Sequence, residues 1–446
     1  MAGRPCVGTG QGGIQLQDIR ELAGIGPARV QRVAVVSVHT CPLDQPGVGD
    51  SGGMNVYIRS VGRRLAEAGV EVDIFSRAAG RGDPVTQMEP GVRVIHLEAG
   101  PEEPVPKEDL PNYLCAFLQS LMRFETAEAE RIGTSAPVYD LIHSHYWLSG
   151  WVGRMARERW GVPLVHSFHT LGRVKNRVLA NGDVPEPPKR IAGEERVIAD
   201  ADCVLAPTIG EAADLVGLYS AQPDRVRVVA PGVETELFSS GDRDAAKASL
   251  GLAGRPVVLF VGRLQALKSP EIAVQAVASL VRTQPALAGT ALVVIGGPSG
   301  RTGVQPHDLE TLGASLGIGD SVRVVPPVPQ PELVRYYRAA DVVIVPSRTE
   351  SFGLVALEAE SCGTPVVASD VGGLRTAVRD GVTGLLVPPD GAAGYARGLE
   401  RLLMDEPLRR AMGAAGIRYA RRYDWRQAAS GLIGVYEELV EARAQA

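Results

Sequence analysis

The stretch DVVIVPSRTESFGLVALE, residues 341–358, contains a strand, a turn and a helix in the order that builds an α/β sheet. Residues 342–345 are Val-Val-Ile-Val, an apolar run without alternation, which is typical of a parallel strand buried on both faces. The turn 346–349 follows, and we expect a helix that begins at Glu350. A short buried strand that leads into a helix is the repeating unit of a doubly wound α/β fold.

Two carboxylates, Glu350 and Glu358, stand at the predicted start of this helix and about two turns inside it. At ~1.5 Å per residue they lie roughly 12 Å apart, about the span from a sugar hydroxyl across a diphosphate to a ribose. Residues 351–354 are expected to offer free backbone amides to a phosphate at the helix N-terminus. The segment therefore predicts a nucleotide-sugar site, and a buried helix with an acidic N-terminal cap explains it about equally well.

Outward from this stretch, short Val-, Ile- and Leu-rich runs alternate with longer helical patterns. The first series of predicted strands covers 32–38, 70–75, 92–97, 139–143, 164–168, 203–206 and 226–229. The second series covers 257–261, 291–295, 322–325, 341–345, 365–368 and 384–387. We therefore expect an α/β protein with two doubly wound, Rossmann-like domains, whose strands point their carboxyl ends at one central cleft.

The domain boundaries follow from turn-rich segments and from the helical pattern at the end of the chain. We expect residues 1–30 to form a mobile leader, residues 31–232 the first domain and residues 233–424 the second. The Pro- and Gly-containing segment 230–238 marks the hinge. An amphipathic pattern that starts at Trp425 predicts a final helix, within 425–446, that packs back on the first domain and completes it.

Composition excludes several classes of protein. At 446 residues the chain exceeds the length at which one hydrophobic core keeps growing. A net charge of −5 gives no basic surface for nucleic acid or for an anionic membrane. The five cysteines are scattered and never spaced Cys-x-x-Cys, which indicates neither a disulfide framework nor a zinc site and favours the cytoplasm. No apolar run reaches the ~20 residues that cross a bilayer.

Two loops at predicted strand ends suit a phosphate-bearing ligand. Gly52 and Gly53 open the first helix and let backbone approach a ligand closely, although an ordinary strand-to-helix turn has the same composition. The loop lacks the Gly-x-Gly-x-x-Gly fingerprint, which argues against an NAD enzyme. Arg263 ends another strand and Lys268 follows five residues later, so this pair suits a diphosphate unless both are solvated.

Four of the seven histidines lie at the ends of two successive strands, at positions 143, 145, 166 and 169. These segments contain no carboxylate of their own and no His-Glu-x-x-His pattern, so a catalytic metal is disfavoured. Each histidine is either a site residue or a hydrogen-bonded strand-end residue. An acceptor that carries phosphate would also need cations from the first domain's loops, where the candidates are Lys107, Lys175, Lys189 and Arg190.

These motifs together resemble the retaining glycosyltransferases of the two-Rossmann (GT-B) type, in the large sucrose-synthase-like family four. The resemblance rests on Glu350 and Glu358, on Gly262-Arg263 with Lys268, on His166-x-x-His169 and on the hinge, and it spans residues 32–441. Within the family, the stretch from His39 to Asn55 and the segment Ile142 to Trp147 are most similar to members that act on inositol 3-phosphate in mycothiol synthesis. This sequence has Ser51 and Ser167 where such members are expected to have Ala and Thr.

The resemblance implies a role for each matching residue. UDP-N-acetylglucosamine would be the donor and inositol 3-phosphate the acceptor, and no cofactor would take part in catalysis. The implied catalytic residues are His169, Arg263, Lys268 and Glu350. The implied donor-binding residues are Gln45, Pro46, Gly53, Arg263, Lys268, Val328, Glu350 and Glu358. The implied acceptor-binding residues are His39, Asp50, Ser51, Gly52, Gly53, Met54, Asn55, Lys107, Tyr146, Thr170 and Arg190. A structural Mg²⁺ would bind at Tyr337, Arg338, Ala340 and Thr364, and a homodimer is expected.

Three alternatives stay open on the sequence. In the first, the chain is a family-four glycosyltransferase with another sugar-phosphate acceptor, like the sucrose-phosphate synthases, and the residues of the first-domain loop do not specify inositol phosphate. A UDP-N-acetylglucosamine epimerase of the same fold would react without any acceptor, and a sugar-nucleotide sensor would have no use for Lys107 and Arg190.

Glu350 and Glu358 are too far apart for the roughly 5 Å carboxylate pair of a retaining double displacement, so front-face transfer is the expected mechanism.

Overall fold

The computed structural model describes residues 30–179, 184–299 and 304–445. The predicted leader 1–30 therefore lies outside the described residues, apart from Val30, which is buried. The described residues form two separate sheets, one of eight strands and one of six. This is the predicted α/β architecture of two Rossmann-like units.

The eight-stranded sheet has the order β3-β4-β2-β1-β5-β6-β7-β8. Its strands are β1 (Arg32–Val36), β2 (Glu71–Arg77), β3 (Val85–Glu89), β4 (Val92–Leu97), β5 (Leu141–His145), β6 (Leu164–Ser167), β7 (Cys203–Ala206) and β8 (Val226–Val228). Its helices are α1 (Gly53–Glu67), α2 (Leu114–Ile132), α3 (Tyr146–Trp160), α4 (Gly172–Asn176), α5 (Pro188–Asp200) and α6 (Ile209–Tyr219). All neighbouring strands run parallel except β3, which pairs antiparallel with β4.

The six-stranded sheet is parallel throughout, with the order β11-β10-β9-β12-β13-β14. Its strands are β9 (Val257–Val261), β10 (Ala291–Ile295), β11 (Val322–Val325), β12 (Val342–Val345), β13 (Val366–Ser369) and β14 (Gly384–Val387). Its helices are α7 (Arg243–Ser249), α8 (Pro270–Thr283), α9 (Pro306–Ser315), α10 (Gln330–Ala339), α11 (Leu354–Ser361), α12 (Leu374–Ala377), α13 (Ala392–Met404) and α14 (Glu406–Ala420).

Each sheet is covered by apolar residues on both faces, because successive side chains of a strand point to opposite sides. In β1, Val33 and Val35 belong to one buried cluster, while Ala34 and Val36 belong to another. The strands of the second sheet alternate in the same way between two clusters. Among the described residues, no helix combines the length and apolar character that a membrane crossing requires.

The last helix, α15 (Trp425–Gln445), packs against the first sheet rather than the second. Its residues Trp425, Leu432 and Tyr436 share a buried cluster with Val33 and Leu65. The chain thus passes between the sheets twice, and the two passages lie side by side, since the amide of Val233 donates to the carbonyl of Tyr423 over 2.6 Å. The exact domain boundaries at 232 and 424 stay predictions.

Two sequence expectations need correction. β3 was not predicted, because Val-Thr-Gln-Met-Glu at an exposed sheet edge lacks an apolar run. The helix expected to begin at Glu350 begins instead at Leu354. Gly353 adopts φ 108°, a left-handed conformation that favours glycine, and turns the chain into the helix. Glu350 therefore lies in a loop, and the helical spacing of roughly 12 Å to Glu358 does not apply.

Candidate active site

The predicted site residues lie at the carboxyl ends of the strands of both sheets, where parallel α/β sheets bind ligands. Arg263 follows β9 and Glu350 follows β12, while His145 ends β5 and His169 follows β6. Side chains from the two sides touch across the cleft. Gln45 donates from Nε2 to the carbonyl of Pro327 over 2.9 Å. The predicted donor and acceptor sets are therefore brought together in one cleft.

The cations predicted for the donor diphosphate line the second-domain side of the cleft. Arg263 donates from Nη1 to the Ser299 hydroxyl over 3.2 Å and lies 3.9 Å from the carboxylate of Asp50. Burial lowers the pKa of Arg263, with the Asp50 and Glu350 carboxylates opposing that effect. Lys268 Nζ donates to Glu350 Oε2 over 2.5 Å, in a pair that is only partly exposed. An arginine fork and a lysine point charge therefore stand beside each other, as a diphosphate requires.

The loop before α1 is folded tightly by its own polar side chains. Asn55 is fully buried and donates from Nδ2 to the Cys41 carbonyl over 2.6 Å, while its Oδ1 accepts from the Gly52 amide over 3.3 Å. Ser51 donates to the Asp44 carbonyl over 3.2 Å. A methyl group at Gly52 would lie 3.2 Å from Arg263 Nε. The loop therefore places bare backbone directly against the donor-side arginine.

The predicted acceptor residues form a compact cluster around His39. Its ring centroid lies 4.4 Å from that of Tyr146, and the guanidinium of Arg190 stands 5.0 Å above the Tyr146 ring. Burial lowers the pKa of His39 well below its ordinary value, and the nearby charges of Lys107, Arg263 and Arg190 lower it further. His39 Nδ1 has no hydrogen-bond partner among the described residues. Arg190 is thus separated from His39 by the Tyr146 ring, while Lys107 and Arg263 meet at Asp50, 3.4 and 3.9 Å from its Oδ1.

Arg190 is held more firmly than an open phosphate ligand would be. It is 2% exposed. Its guanidinium donates to Glu194 over 2.7 Å and to both oxygens of Thr170, at 2.9 and 3.0 Å, and lies 2.9 Å from Glu186. Lys107 is half-buried, with Nζ 3.4 Å from Asp50 Oδ1. Lys107 is therefore the more available cation for an acceptor phosphate, and Arg190 organises the loop that carries Thr170.

The strand-end histidines are hydrogen-bonded in separate groups. His169 Nε2 and His145 Nδ1 are 2.9 Å apart, and His143 bonds through its two ring nitrogens to Tyr436 of α15 and to Ser167. Burial lowers the pKa of His169 to about 3 and that of His143 to about 3, so both rings are neutral near pH 7. His169 has φ 59° and Tyr146 φ 72°, which are strained conformations of the kind that cluster at functional sites.

Glu358 lies deeper than Glu350, in the second turn of α11. Tyr337 donates to its Oε2 over 2.7 Å, and burial raises the pKa of Glu358 to about 7.

Of the other predicted site residues, Val328 and Met54 pack at the edges of the buried clusters, and Pro46 and Gly53 are partly exposed at the cleft. Lys175 is paired with Glu186, so it is not free to bind an acceptor phosphate. Lys189 is exposed to solvent.

Three of the oxygens predicted for Mg²⁺, those of Thr364, Tyr337 and Ala340, lie close together, and the metal itself stays a prediction. Thr364 Oγ1 donates to the Tyr337 carbonyl over 2.7 Å and lies 3.5 Å from the Ala340 carbonyl. Arg338 lies between Tyr337 and Ala340 in sequence, and its guanidinium donates to the carbonyl and the hydroxyl of Ser239. Neutral oxygens in such proximity fit a hard cation, although they supply no carboxylate.

Two side chains that the sequence did not single out stand in the same cleft, although the backbone amide of Ser351 was predicted to be free for a phosphate. Ser351 donates to the His169 carbonyl over 2.6 Å, across a separation of 182 positions. Glu211 at the start of α6 is buried near Ser351; burial raises the pKa of Glu211 to about 8, and the Ser351 hydroxyl partly offsets that rise. The available signal was the Thr208-x-x-Glu211 pattern, which predicts a helix cap and not a site.

Comparison with known proteins agrees with this geometry. Residues 52–232 match the model of a glycosyl transferase 4-like domain, and residues 242–419 match that of glycosyl transferases group 1. The first match covers the eight-stranded sheet except β1, and the second covers the whole six-stranded sheet. The fold and the site thus define a two-domain GT-B glycosyltransferase.

Relatives narrow this class further. A D-inositol 3-phosphate glycosyltransferase from Acidothermus cellulolyticus is 52% identical over 420 residues, which cover 94% of this chain and 92% of that protein. One from Salinispora arenicola is 53% identical, covering 93% of both. A sucrose-phosphate synthase structure from Thermosynechococcus elongatus has a TM-score of 0.83 at 35% identity, covering 92% of this chain and 100% of that one. The chain belongs to the D-inositol 3-phosphate glycosyltransferase family.

Proposed function

We propose that this glycosyltransferase moves N-acetylglucosamine from UDP-N-acetylglucosamine to 1D-myo-inositol 3-phosphate, releasing UDP, as the first step of mycothiol biosynthesis. The observation that carries the proposal is the placement of three cations: Lys107 and Arg263 lie 3.4 and 3.9 Å from Asp50 Oδ1, and Arg190 stands 5.0 Å from the Tyr146 ring, which packs against His39. A diphosphate donor and a phosphate acceptor both need cations, and here cations from the two domains face one small space. The names of relatives at about 50% identity support the same substrates.

Transfer at one face of the sugar accounts for the arrangement of charges. The bond between the anomeric carbon and the β-phosphate oxygen breaks, and the acceptor hydroxyl oxygen bonds to the same carbon. The hydroxyl proton passes to the departing β-phosphate, so no protein nucleophile is needed and the configuration is retained. Arg263 and Lys268 would stabilise the charge that develops on the diphosphate.

The remaining groups orient the two substrates. Glu350 would accept hydrogen bonds from hydroxyls of the transferred sugar, and Glu358 from the ribose. His169, neutral because of its burial, would donate to the sugar near the reacting carbon. Lys107 would hold the acceptor phosphate, while Arg190 fixes Thr170 beside it. Holding both substrates in reacting geometry is the larger part of such catalysis.

Three further features belong to the proposal. We place the enzyme in the cytoplasm, because its cysteines are scattered and its substrates are cytoplasmic metabolites. We propose a homodimer. Any Mg²⁺ would be held by the carbonyls of Tyr337, Arg338 and Ala340 with the Thr364 hydroxyl; it would stabilise the turn between α10 and β12 and take no part in transfer.

Mass-spectrometric product detection tests the proposal. Purified enzyme is incubated with UDP-N-acetylglucosamine and, in parallel, inositol 3-phosphate, free inositol, glucose 6-phosphate or fructose 6-phosphate. We expect an N-acetylglucosaminyl-inositol phosphate only in the first reaction. The likeness to sucrose-phosphate synthase makes a hexose phosphate the second candidate acceptor, and a product with fructose 6-phosphate would favour it.

A pair of lysine variants sharpens this test. Lys107→Ala removes the half-buried cation of the cleft, whereas Lys189→Ala removes an exposed one. We expect the first to raise the KM for inositol 3-phosphate at least tenfold while the KM for the donor changes little, since a charge-assisted hydrogen bond is worth about 1.5–3 kcal/mol. Lys189→Ala should behave as wild type. Equal effects of the two substitutions would contradict the acceptor site.

A further inference from the structure

The hydrogen bond between Ser351 and the His169 carbonyl joins the two sides of the cleft next to the proposed reacting centre. Ser351 directly follows Glu350, the predicted sugar ligand, and His169 carries the predicted histidine of the reacting centre. The bond is 2.6 Å long and partly buried. It therefore links the donor-side loop to the main chain of the residue whose ring faces the sugar in the proposed function.

Each end of this bond is held by further contacts. On the donor side, the Gly373 amide donates to the Glu350 carbonyl over 2.8 Å. A methyl group at Gly373 would come within 2.3 Å of Ser351 O, so the two backbones are in close contact. On the acceptor side, His145 Nδ1 holds the His169 ring at 2.9 Å. Because the 351 loop is fixed, its hydroxyl can fix the strained peptide of His169 in turn.

The Ser351 hydroxyl has a single proton to donate. A carbonyl oxygen only accepts, so that proton is committed to the His169 carbonyl while the bond stands.

We propose that Ser351 is a positioning residue of the transfer reaction: the serine hydroxyl keeps the His169 main chain in register with Glu350 when the cleft is closed. The inference rests on the proposed function in taking His169 as the residue at the reacting centre. Opening of the cleft breaks the bond and frees the His169 peptide. The histidine would then be correctly placed only while the two domains are together.

Three serine variants test this role. Ser351→Ala deletes the hydroxyl, and Ser351→Thr keeps it. Ser315→Ala is the matched control, because Ser315 is exposed and its hydroxyl bonds only within its own helix. For each, kcat for transfer, acceptor-free release of UDP from UDP-N-acetylglucosamine and the Kd of that donor are measured, with Tm as a check on folding.

We expect Ser351→Ala to lower kcat and acceptor-free UDP release about tenfold, the effect of one hydrogen bond at the upper end of its usual net value. Donor Kd should stay within about twofold of wild type. Ser351→Thr should restore most of the rate.

Two results would overturn the proposal. One is unchanged UDP release in folded Ser351→Ala. The other is an equal loss in the alanine and threonine variants, which would show that the hydroxyl is not what matters. Acceptor-free UDP release also separates this inference from the acceptor assignment. If wild-type enzyme glycosylates a different acceptor, the acceptor proposal fails while the role of Ser351 is still measured on donor cleavage.

Discussion

Replacing Lys268 by alanine separates the chemistry of the cleft from the stability of the fold. The Lys268 and Glu350 side chains are 23% and 20% exposed and form an ion pair of 2.5 Å. Lys268 stands in a short turn, Ala266–Lys268, whose main chain does not depend on the lysine side chain. The substitution therefore removes a charge from the donor site and little else.

The two consequences differ in size. Loss of one preorganised group that stabilises a developing negative charge costs ~2.7–4 kcal/mol in the transition state, or a hundred- to thousand-fold in kcat. The lost ion pair is partly solvated, so the free energy of unfolding should fall by about 1 kcal/mol or less. We expect an enzyme that is almost inactive and almost as stable as wild type.

Lys247 provides the opposite case as a control. Its Nζ lies 2.7 Å from Asp341 Oδ2, the two side chains are 10% and 6% exposed, and Asp341 precedes β12 at the end away from the cleft. Lys247→Ala leaves this buried carboxylate with only the more distant Arg409, 3.8 Å away, and should cost up to about 3–5 kcal/mol of stability. The folded fraction of that variant should keep wild-type kcat.

A coupled assay of UDP release gives kcat, and urea unfolding followed by fluorescence gives the stability of both variants. We expect Lys268→Ala to lower kcat at nearly unchanged stability, and Lys247→Ala to lower stability at unchanged kcat. A Lys268→Ala enzyme with kcat within threefold of wild type would refute the donor-site assignment.

Three other substitutions have definite expected outcomes. Gly52→Ala brings a methyl group to 3.2 Å from Arg263 Nε, so the guanidinium must shift by a few tenths of an ångström. Since a misplacement of ~1 Å costs about a hundredfold in rate, kcat/KM should fall several-fold with unchanged Tm. A normal kcat/KM would argue that Arg263 is not at the diphosphate. Arg190→Ala leaves the fully buried Glu194 without its cation and should cost about 3–5 kcal/mol in urea unfolding; a change below ~1 kcal/mol would contradict that pairing. Burial raises the pKa of Glu360 to about 8, whereas a glutamate in the unfolded chain titrates near ~4.3. The folded state thus keeps a proton that unfolding releases, and stability is lost as pH rises through this window, by at most ~1.4 kcal/mol per pH unit. Glu360→Gln should accordingly raise Tm more at pH 8 than at pH 5, and an equal effect at both would be against a protonated Glu360.

The strands were predictable because a buried parallel strand must be apolar at every position. β9 and β10 lie where the Val- and Leu-rich runs predict them, at Val257–Val261 and Ala291–Ile295. β3 could not be found in this way, since an exposed edge strand needs no apolar run. Periodicity thus reports burial, and it gives strand positions only where the strand is buried.

The helix after Glu350 shows a different limit. Gly353 is the one local sign of a later start, and a glycine does not by itself decide between a helix that starts at 350 and one that starts at 354. The outcome depends on the turn at Gly372 and Gly373, which packs on the 350–352 loop and holds it out of the helix. The side-chain role of Ser351 was missed for the same reason, because its partner His169 is 182 positions away along the chain.

The return of α15 to the first sheet also affects how the protein is made. Trp425, Leu432 and Tyr436 cover a face of that sheet, yet they follow its last strand by about 200 residues. At roughly 5–20 residues per second, the ribosome needs about 10–40 seconds to deliver them. During that time the second domain can complete its own core, while the first still exposes an apolar face. The domain that is synthesised first is therefore the last to finish folding, and the nascent chain presents a binding surface for chaperones until its final helix emerges.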